Sequence, residues 1–240
     1  MRMMTPEELA KYIEFTNLDN TATEEQMVAF LEIAEEYKFY AVVVSPHYVN
    51  LASTILKDTD IKVVTVIDFP LGAGSTEGKI AEVKAAIQNG ADEIDMLANI
   101  PAIKSHDFEL VEYDIKSVKE ACEDIPLKVI IECPLIDDYE KATTARICNN
   151  CKVDYIKTST GFNGLESFNE MIDSVRVIKK NAPNTKIKAA GGIRNYKLAY
   201  NIISSGVDKI GTSSGREIID QLKHVIDDLE EVGPTGPRLI

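Results

Sequence analysis

The chain has 240 residues, of which 45% are hydrophobic, and this is enough for one large α/β domain with a sizeable core. The formal net charge of −13 argues against binding to a nucleic-acid backbone, because proteins that do so carry basic surfaces. The charge does not exclude a small phosphorylated ligand, since a phosphate needs only a local group of amides and a cation.

Sequence signals for targeting and for metals are weak. The polar segment Met1–Lys11 predicts a short helix over about 5–11 rather than a secretory leader, and no apolar run reaches the roughly eighteen residues of a membrane span. We therefore expect a cytoplasmic protein that binds neither membranes nor nucleic acid. The 3 histidines are scattered, so the sequence implies no metal site, and it implies no cofactor.

Two of the 4 cysteines, Cys148 and Cys151, have the spacing of a redox pair. A thioredoxin-like pair lies after a strand, at the N-terminus of a helix. Here the pair follows a helical run over Lys141–Ile147 and precedes a strand, and this context favours structural cysteines. The sequence alone leaves a redox role open.

Short runs rich in Val and Ile alternate with longer amphipathic runs along the chain. Nearly continuous apolar strands are typical of parallel strands that are covered on both faces. The predicted strands are Tyr12–Thr16, Ala41–Ser45, Lys62–Ile67, Glu93–Leu97, Lys128–Glu132, Asp154–Lys157, Lys186–Ala190 and Asp208–Gly211. The predicted helices include Thr23–Tyr37, Thr76–Asn89, Leu110–Cys122, Glu166–Lys180 and Tyr196–Ser205.

Eight strand–helix units in a chain of this length match the size of a (β/α)8 barrel. An open, doubly wound sheet is the rival architecture. A barrel gathers the C-terminal ends of its strands into one mouth, whereas an open sheet spreads them along an edge. Polar residues at the ends of many different strands favour the barrel: Glu14, Ser45, Asp68, Asp95, Glu132, Lys157, Lys188 and Ser213. We predict an α/β protein with a single-domain (β/α)8 TIM barrel over 1–240, ending in a flexible tail over about 231–240.

Lys157 and Lys188 stand in predicted core strands, where a lysine needs a partner or a function. A single strand-end lysine would be read as one whose ammonium reaches solvent. Two lysines on consecutive barrel strands, about 5 Å apart, would repel each other. That repulsion, with desolvation, should lower the pKa of at least one of them toward neutrality. A neutral amine attacks carbonyl carbons and forms an imine, which is the chemistry of a metal-free aldolase.

Asp95 is the third candidate residue. Alternation along its strand should point Ile94 and Met96 toward the helices and Asp95 into the barrel. An inward carboxylate beside two lysines is either an ion-pair partner or a proton relay for carbinolamine formation and dehydration. The sequence does not separate these two interpretations.

Three glycine-containing loops directly follow predicted strands: Thr158–Gly161, Gly191–Arg194 and Gly211–Gly215. Glycines allow close backbone approach, hydroxyl groups add donors, and amides at the start of a following helix attract anions. Turn formation is the ordinary explanation for any one such loop. Because a phosphate site after the last two strands is common in these barrels, three such loops beside two lysines predict a small phosphorylated ligand.

Several segments together resemble the deoxyribose-phosphate aldolase family. They are Tyr155–Gly161, Lys188–Arg194, Gly211–Gly215, Val66–Ala73, Ala91–Met96 and Lys128–Glu132. The resemblance runs in order from about Tyr12 to Gly215. It implies a (β/α)8 class I aldolase that reversibly cleaves 2-deoxy-D-ribose 5-phosphate to D-glyceraldehyde 3-phosphate and acetaldehyde, in cytoplasmic deoxyribonucleotide catabolism. Exposed barrel helices are also compatible with a homo-oligomer, either a dimer or a tetramer.

The resemblance implies a role for each candidate. Lys157 would form the Schiff base, Lys188 would lower its pKa, and Asp95 would transfer protons. The sugar phosphate would bind at Thr160, Gly161, Gly191, Gly192, Gly211, Ser213 and Ser214. Glu14 and Thr16 would support the site from the first strand.

The first strand departs from the family pattern. The family usually has Ile-Asp-His-Thr-Leu-Leu-Lys-Pro where this chain has Ile13–Asn20, so Glu14 adds a methylene, Phe15 replaces a histidine and Asp19 reverses a charge. Further departures are at Ser45, Cys133, Pro134 and Ala190. We expect these changes to lie where substrate is contacted. Two alternatives therefore stay open: a class I aldolase for a different phosphorylated sugar, and a non-catalytic barrel that binds a sugar phosphate.

Overall fold

The computed structural model describes residues 4–232 of the chain. Eight parallel strands pair in sequence order, and the first also pairs with the last, which closes the sheet into a barrel. Helices follow the strands around the outside, so the predicted single-domain (β/α)8 barrel is confirmed. Among residues 4–232, no helix combines the length and the apolar composition needed to cross a membrane.

Every predicted strand is present, and each ends within two residues of its expected position. The strands are β1 (Ile13–Asn17), β2 (Ala41–Val44), β3 (Lys62–Ile67), β4 (Glu93–Leu97), β5 (Leu127–Ile130), β6 (Tyr155–Lys157), β7 (Lys186–Ala190) and β8 (Lys209–Thr212). The helices are α1 (Pro6–Ala10), α2 (Glu24–Tyr37), α3 (Val49–Ile55), α4 (Thr76–Gln88), α5 (Ile100–Lys104), α6 (Phe108–Ala121), α7 (Asp138–Asn150), α8 (Phe168–Asn181), α9 (Tyr196–Ser204) and α10 (Gly215–Val232).

Some helices differ from the sequence-based expectation. The N-terminal helix predicted over about 5–11 is present as α1, but α3, α5 and α10 were not predicted. Helix α7 was recognised only over Lys141–Ile147 and is nearly twice that length. Helix α10 includes the first two residues of the predicted tail over 231–240, and residues 233–240 of that tail lie outside the described part of the chain.

Local sequence accounts for where the helices begin. At the start of α8, the Ser167 hydroxyl accepts from the Glu170 amide, and the Glu170 carboxylate accepts from the Ser167 amide. This capping box satisfies amides that would otherwise lack partners. The same helix buries Met171, Val175 and Ile178, which share one face because their spacing follows the helical period.

The barrel interior has an apolar side and a charged side. Ala41, Val43, Val64 and Val66, from β2 and β3, form a small cluster of their own inside the barrel. The other side carries buried charged residues from β1 and β4 to β7: Glu14, Glu93, Asp95, Lys128, Lys157 and Lys188. Alternate strand residues belong instead to the large core between the strands and the helices. The charged side is where the candidate site lies.

Tyr40 directly precedes β2 and Tyr155 begins β6, so both lie at the N-terminal end of the barrel. The Tyr40 hydroxyl donates to Glu93 Oε1 at 2.6 Å, and Lys209 Nζ lies 3.3 Å from the centre of the Tyr40 ring. Burial raises the pKa of both tyrosines, that of Tyr155 to about 12, so both keep their protons at neutral pH. The cavity that Lys157 lines lies at the opposite, C-terminal mouth.

Candidate active site

Lys157 and Lys188 lie side by side inside the barrel. They are register partners on β6 and β7, and both ammonium groups donate to the same oxygen of Asp95. The distances from Nζ to Asp95 Oδ2 are 2.8 Å for Lys157 and 2.7 Å for Lys188. None of the three residues is more than 4% exposed. The structure thus brings together the three residues that the sequence selected, and one carboxylate oxygen bridges the two amines.

The alternation of β4 explains why Asp95 points into the barrel. Ile94 and Met96 are fully buried in the core between strands and helices, as predicted. Glu14 of β1 joins the group from the other side, since its Oε2 also accepts from Lys188. Its second oxygen, Oε1, is buried and has no hydrogen-bond partner among the described residues. Glu14 and Asp95 therefore share the Lys188 ammonium.

Two further residues of this charged group, Lys128 and Glu93, were not among the predicted site residues. Lys128 Nζ lies 2.6 Å from Glu93 Oε2, 3.1 Å from Asp95 Oδ1 and 3.5 Å from Glu14 Oε2. Lys128 pairs in register with Asp95 across β4 and β5. Strand alternation was the available signal. Glu93 is two residues from Asp95 on β4 and therefore points to the same face, into the barrel. Lys128 is two residues from Ile130 on β5, and Ile130 pairs with Lys157.

Burial and charge together set the protonation of the site. Burial is the largest cause that lowers the pKa of Lys157 to about 8; Asp95 opposes this change and Lys188 adds to it. The direction agrees with the sequence-based prediction, but burial contributes more than repulsion by Lys188. Burial also opposes ionisation of Asp95, yet the positive charges of Lys128, Lys157 and Lys188 outweigh it and hold the Asp95 pKa well below its usual range. At neutral pH an appreciable fraction of Lys157 is a neutral amine.

A cavity of about 460 Å³ opens above Lys157 at the C-terminal mouth. The predicted residues that line it are Thr16, Lys157, Thr160, Gly161, Gly191, Gly192, Gly211 and Ser213. Lining residues that were not predicted include Asn17, Phe30, Phe162, Leu165 and Arg194. Lys188, Asp95 and Glu14 do not line the cavity but lie in the interior with Lys157. The cavity is of the size that small-molecule sites have, and its floor is the candidate nucleophile.

One predicted phosphate residue does not reach the cavity. Ser214 is absent from the lining, and its amide donates to Thr212 Oγ1 at 2.9 Å. That hydrogen bond engages the amide within the turn that leads into α10, and a phosphate contact by Ser214 stays a prediction.

Two glycines of the mouth are required by their surroundings. Gly191 has a φ of 102°, and a Cβ atom there would lie 2.5 Å from Ser159 Oγ. A Cβ atom on Gly211 would lie 3.1 Å from Lys188 Cε and 3.2 Å from Ala190 Cβ. The absence of a side chain at Gly211 keeps room beside Lys188, and its absence at Gly191 avoids a clash with Ser159.

Glu132 organises the loop that carries Thr160. It follows β5 with a left-handed φ of 55°, which ends the strand two residues before the predicted position. Its buried carboxylate accepts from the Thr160 amide at 3.1 Å and 3.2 Å and from Asn163 Nδ2 at 3.3 Å. Asn163 Nδ2 also donates to Pro70 O at 2.8 Å. Glu132 therefore fixes one wall of the cavity and ties two loops together.

Most of the departures in and around the first strand lie away from the cavity. Phe15 packs on Phe30 and Phe39, with ring centres 4.4 Å and 4.9 Å apart, so it faces the helices. The expectation that Phe15 contacts substrate is therefore wrong, because its neighbour Glu14 takes the inward position. Ser45 does not line the cavity either, and Cys133 is buried. Asp19 and Ala190 do line it.

The cysteines and acidic residues form no second reactive centre in the described part of the chain. Cys148 is buried inside α7, Cys151 caps its C-terminus, and neither is in a disulfide. Burial raises the pKa of both thiols, which disfavours the reactive thiolate. Within residues 4–232, no three His, Cys, Asp or Glu side chains are grouped as metal ligands.

Comparisons with known proteins identify relatives of the chain. A family model described as DeoC/LacD family aldolase matches residues 10–221. A deoxyribose-phosphate aldolase from Aciduliprofundum boonei is 44% identical over 222 residues, which cover 92% of this chain and 99% of the relative. Another from Streptococcus pneumoniae is 44% identical over 88% of this chain and 95% of its own length. The solved structure of a tetrameric deoxyribose phosphate aldolase from Aeropyrum pernix has a TM-score of 0.85 at 29% identity, covering 93% of this chain and 94% of that one.

The closed barrel and the comparisons define the class of protein: a (β/α)8 aldolase, which is a lyase for carbon–carbon bonds. Its family follows from the match over most of the chain. The chain belongs to the DeoC/LacD family of aldolases.

Proposed function

We propose that the protein is a class I aldolase that reversibly cleaves 2-deoxy-D-ribose 5-phosphate to D-glyceraldehyde 3-phosphate and acetaldehyde, through a Schiff base on Lys157. The observation that carries the proposal is the position of Lys157, a buried lysine with a pKa near 8 on the floor of the mouth cavity. The relatives named deoxyribose-phosphate aldolase support the choice of substrate.

The reaction begins with the neutral Lys157 amine. Nζ attacks the aldehyde carbon C1 of the open-chain sugar and forms a carbinolamine, which loses water to give a protonated imine. Loss of the C3 hydroxyl proton then breaks the C2–C3 bond, and the electron pair moves into the imine to give an enamine. D-glyceraldehyde 3-phosphate departs. The enamine takes a proton at C2, and water hydrolyses the resulting imine to acetaldehyde and free Lys157.

Asp95 and Lys188 serve the proton transfers in this proposal. Asp95 Oδ2 contacts both Nζ atoms, so it can pass a proton between the two amines. Lys188 is the ammonium that faces Lys157 and can supply the proton that leaves with the carbinolamine hydroxyl. Ion pairing and proton relay are compatible roles for Asp95 here, since the same contacts serve both.

The phosphate would bind in the upper part of the cavity. Thr160, Gly161, Gly191, Gly192, Gly211 and Ser213 line it, and Arg194 contributes a cation to the lining. Backbone amides in glycine-rich turns suit a phosphate because they approach closely and carry positive potential. Thr16 lines the same cavity from β1 and Glu14 supports Lys188 beneath it.

The proposal also covers the cellular compartment and the oligomeric state of the protein. The four cysteines are all unpaired in the described structure, which is compatible with a reducing, cytoplasmic setting and with a part in deoxyribonucleotide catabolism. The tetrameric Aeropyrum pernix relative supports a homo-oligomer, and light scattering would measure its size.

A reductive trap tests the proposal directly. Incubation with 2-deoxyribose 5-phosphate and cyanoborohydride should attach the substrate carbon skeleton to Lys157, as identified by peptide mapping. Lys157→Leu should abolish both the adduct and turnover while the fold is retained. Lys186→Leu is the matched control, because Lys186 lies on β7 two residues before Lys188 but is exposed; its adduct should be unchanged. An adduct on another lysine would refute the assignment.

A second candidate function is a class I aldolase for a different phosphorylated sugar, and Asp19 favours it. This carboxylate lines the cavity where the family usually has a lysine. The two functions are distinguished in the direction of synthesis by comparing acetaldehyde with dihydroxyacetone phosphate as the donor. An enzyme that makes and cleaves deoxyribose phosphate must use acetaldehyde. Saturable binding of the sugar phosphate without any adduct would instead support the non-catalytic barrel.

A further inference from the structure

Lys128 is a fully buried cation that does not line the cavity. Its ammonium is surrounded by three carboxylates, those of Glu93, Asp95 and Glu14, at distances from 2.6 to 3.5 Å. The charges of these carboxylates outweigh burial and raise the pKa of Lys128 well above its usual value. Lys128 is therefore a permanent positive charge in the barrel, whereas Lys157 titrates near neutrality.

Lys128 contacts one oxygen of the Asp95 carboxylate, and Lys157 and Lys188 contact the other. Asp95 Oδ1 accepts from Lys128 at 3.1 Å, and Oδ2 accepts from both Lys157 and Lys188. Among the charges that favour ionised Asp95, that of Lys128 is the largest contributor. Lys128 thus partly neutralises the carboxylate that holds the Lys157 ammonium. Asp95 is thus the carboxylate that contacts both Lys128 and Lys157.

The charge balance of the interior depends on Lys157. With Lys157 neutral, the interior holds the ammonium groups of Lys128 and Lys188 against the carboxylates of Glu14, Glu93 and Asp95. A protonated amine or imine on Lys157 makes the numbers of positive and negative charges equal. The surplus negative charge therefore favours a cation at Lys157, which stabilises the imine but also retains the proton that the free amine must lose.

We propose that Lys128 is a positioning residue that, paired with Glu93, weakens the hold of Asp95 on the Lys157 ammonium and so keeps Lys157 available as a neutral nucleophile. This inference rests on the proposed function, because it assigns Lys128 a task in the same Schiff-base site. The lysine at 128 would otherwise be a buried ion-pair partner with only a structural role.

The groups that face Lys157 come from four strands. Asp95 on β4 and Glu14 on β1 favour its charged form, and Lys188 on β7 disfavours it directly. Lys128 on β5 acts through Asp95. We therefore expect removal of Lys128 to shift the titration of Lys157 upward, in the same direction as removal of Lys188 but by a smaller amount.

The test must avoid leaving Glu93 buried without its partner, because such a carboxylate would take up a proton and cancel the change in charge. Glu93→Gln is therefore compared with the double variant Glu93→Gln/Lys128→Met, and the two differ only at position 128. The rate of cyanoborohydride trapping with 2-deoxyribose 5-phosphate is measured from about pH 6 to about pH 10. The midpoint of the double variant should be higher by roughly one pH unit, which slows trapping at about pH 7 roughly tenfold.

A conservative replacement separates charge from packing. Glu93→Gln/Lys128→Arg keeps a cation beside Asp95, so its midpoint should return to that of Glu93→Gln. The proposal is overturned if the pH midpoint of trapping is the same in all three variants. Any loss would then be confined to the plateau rate or to thermal stability, and Lys128 would have only a structural role.

A second measurement needs no substitution at Lys128. In the unsubstituted protein labelled with ¹⁵N at lysine Nζ, NMR should show Lys157 losing its proton near pH 8 while Lys128 keeps its proton to at least about pH 10. Loss of both protons together would overturn the proposal. A complete absence of trapping in the unsubstituted protein would refute the proposed function itself. Normal trapping with unchanged midpoints would refute only the role of Lys128.

Discussion

Replacing Lys188 with methionine should move the pH dependence of imine formation upward. Methionine has a similar length and no charge, so the substitution removes the ammonium with little change in volume. Lys188 disfavours a charge on Lys157, whereas Asp95 favours it. Without Lys188, the repulsion disappears and Asp95 Oδ2 is left to Lys157 alone. The pKa of Lys157 must therefore rise from about 8.

The size of the rise follows from the geometry. Both Nζ atoms lie within 2.8 Å of one oxygen, so they are at most about 5.6 Å apart, where two unit charges repel by about 3 kcal/mol at an effective dielectric constant of about 20 and by less than 1 kcal/mol in water. We expect a rise of roughly one to two pH units. At about pH 7.5 the neutral fraction of Lys157 then falls from about a quarter to a few per cent or less, and imine formation slows roughly ten- to eighty-fold.

The assay is reductive trapping of the substrate imine, followed by mass spectrometry from about pH 6 to about pH 10. At high pH Lys157 is neutral in both proteins, so the rate in the Lys188→Met variant should level off there, at a plateau lowered only by the loss of Lys188 as a proton donor. In the Lys188→Met variant the Glu14 carboxylate loses its ammonium partner. The double variant Glu14→Gln/Lys188→Met removes that carboxylate as well, and the upward shift in the pH midpoint should remain. A lower rate at every pH with an unchanged midpoint would refute the reasoning and leave Lys188 as a proton donor only.

The mouth gives two further predictions. Gly191→Ala should lower the melting temperature by several degrees and weaken phosphate binding, because the new Cβ meets Ser159 Oγ at a φ that costs about 1–3 kcal/mol for alanine. Calorimetry measures the change in melting temperature, and a melting temperature equal to that of the unsubstituted protein would contradict the argument. Glu132→Ala should raise KM more than it lowers kcat, because the Thr160 amide and Asn163 lose their acceptor. Steady-state kinetics with equal losses in kcat and kcat/KM would place Glu132 at the reacting atoms instead.

The fold could be predicted because strand and helix patterns repeat along the whole chain. The short helices α3 and α5 have too few residues for a clear periodicity. The loop that ends at Gly215 was recognised in the sequence, but helix α10, which begins there, was not predicted. The inward position of Asp95 followed from alternation within one strand. The contact between Lys128 and Asp95 depends on the register between two strands, which alternation within either strand does not specify.

The direction of Phe15 was available from the sequence and was missed. Adjacent strand residues point to opposite faces, so an inward Glu14 requires an outward Phe15. The aromatic partners of Phe15 come from α2 and from the segment before β2, and they were not predictable from β1 alone. The residues that bind substrate are harder to predict than those in the interior, because loop geometry, as at Ser214 and Glu132, decides which atoms reach the cavity.

The position of Lys157 on the floor of the mouth cavity has a consequence for the order of events in the proposed cycle. Sugar, aldehydes and water reach Lys157 through this same cavity. The water that hydrolyses the last imine must arrive where glyceraldehyde 3-phosphate sits after cleavage. The phosphorylated product therefore leaves first and acetaldehyde last, and added glyceraldehyde 3-phosphate should divert the enamine back to substrate before water can release it.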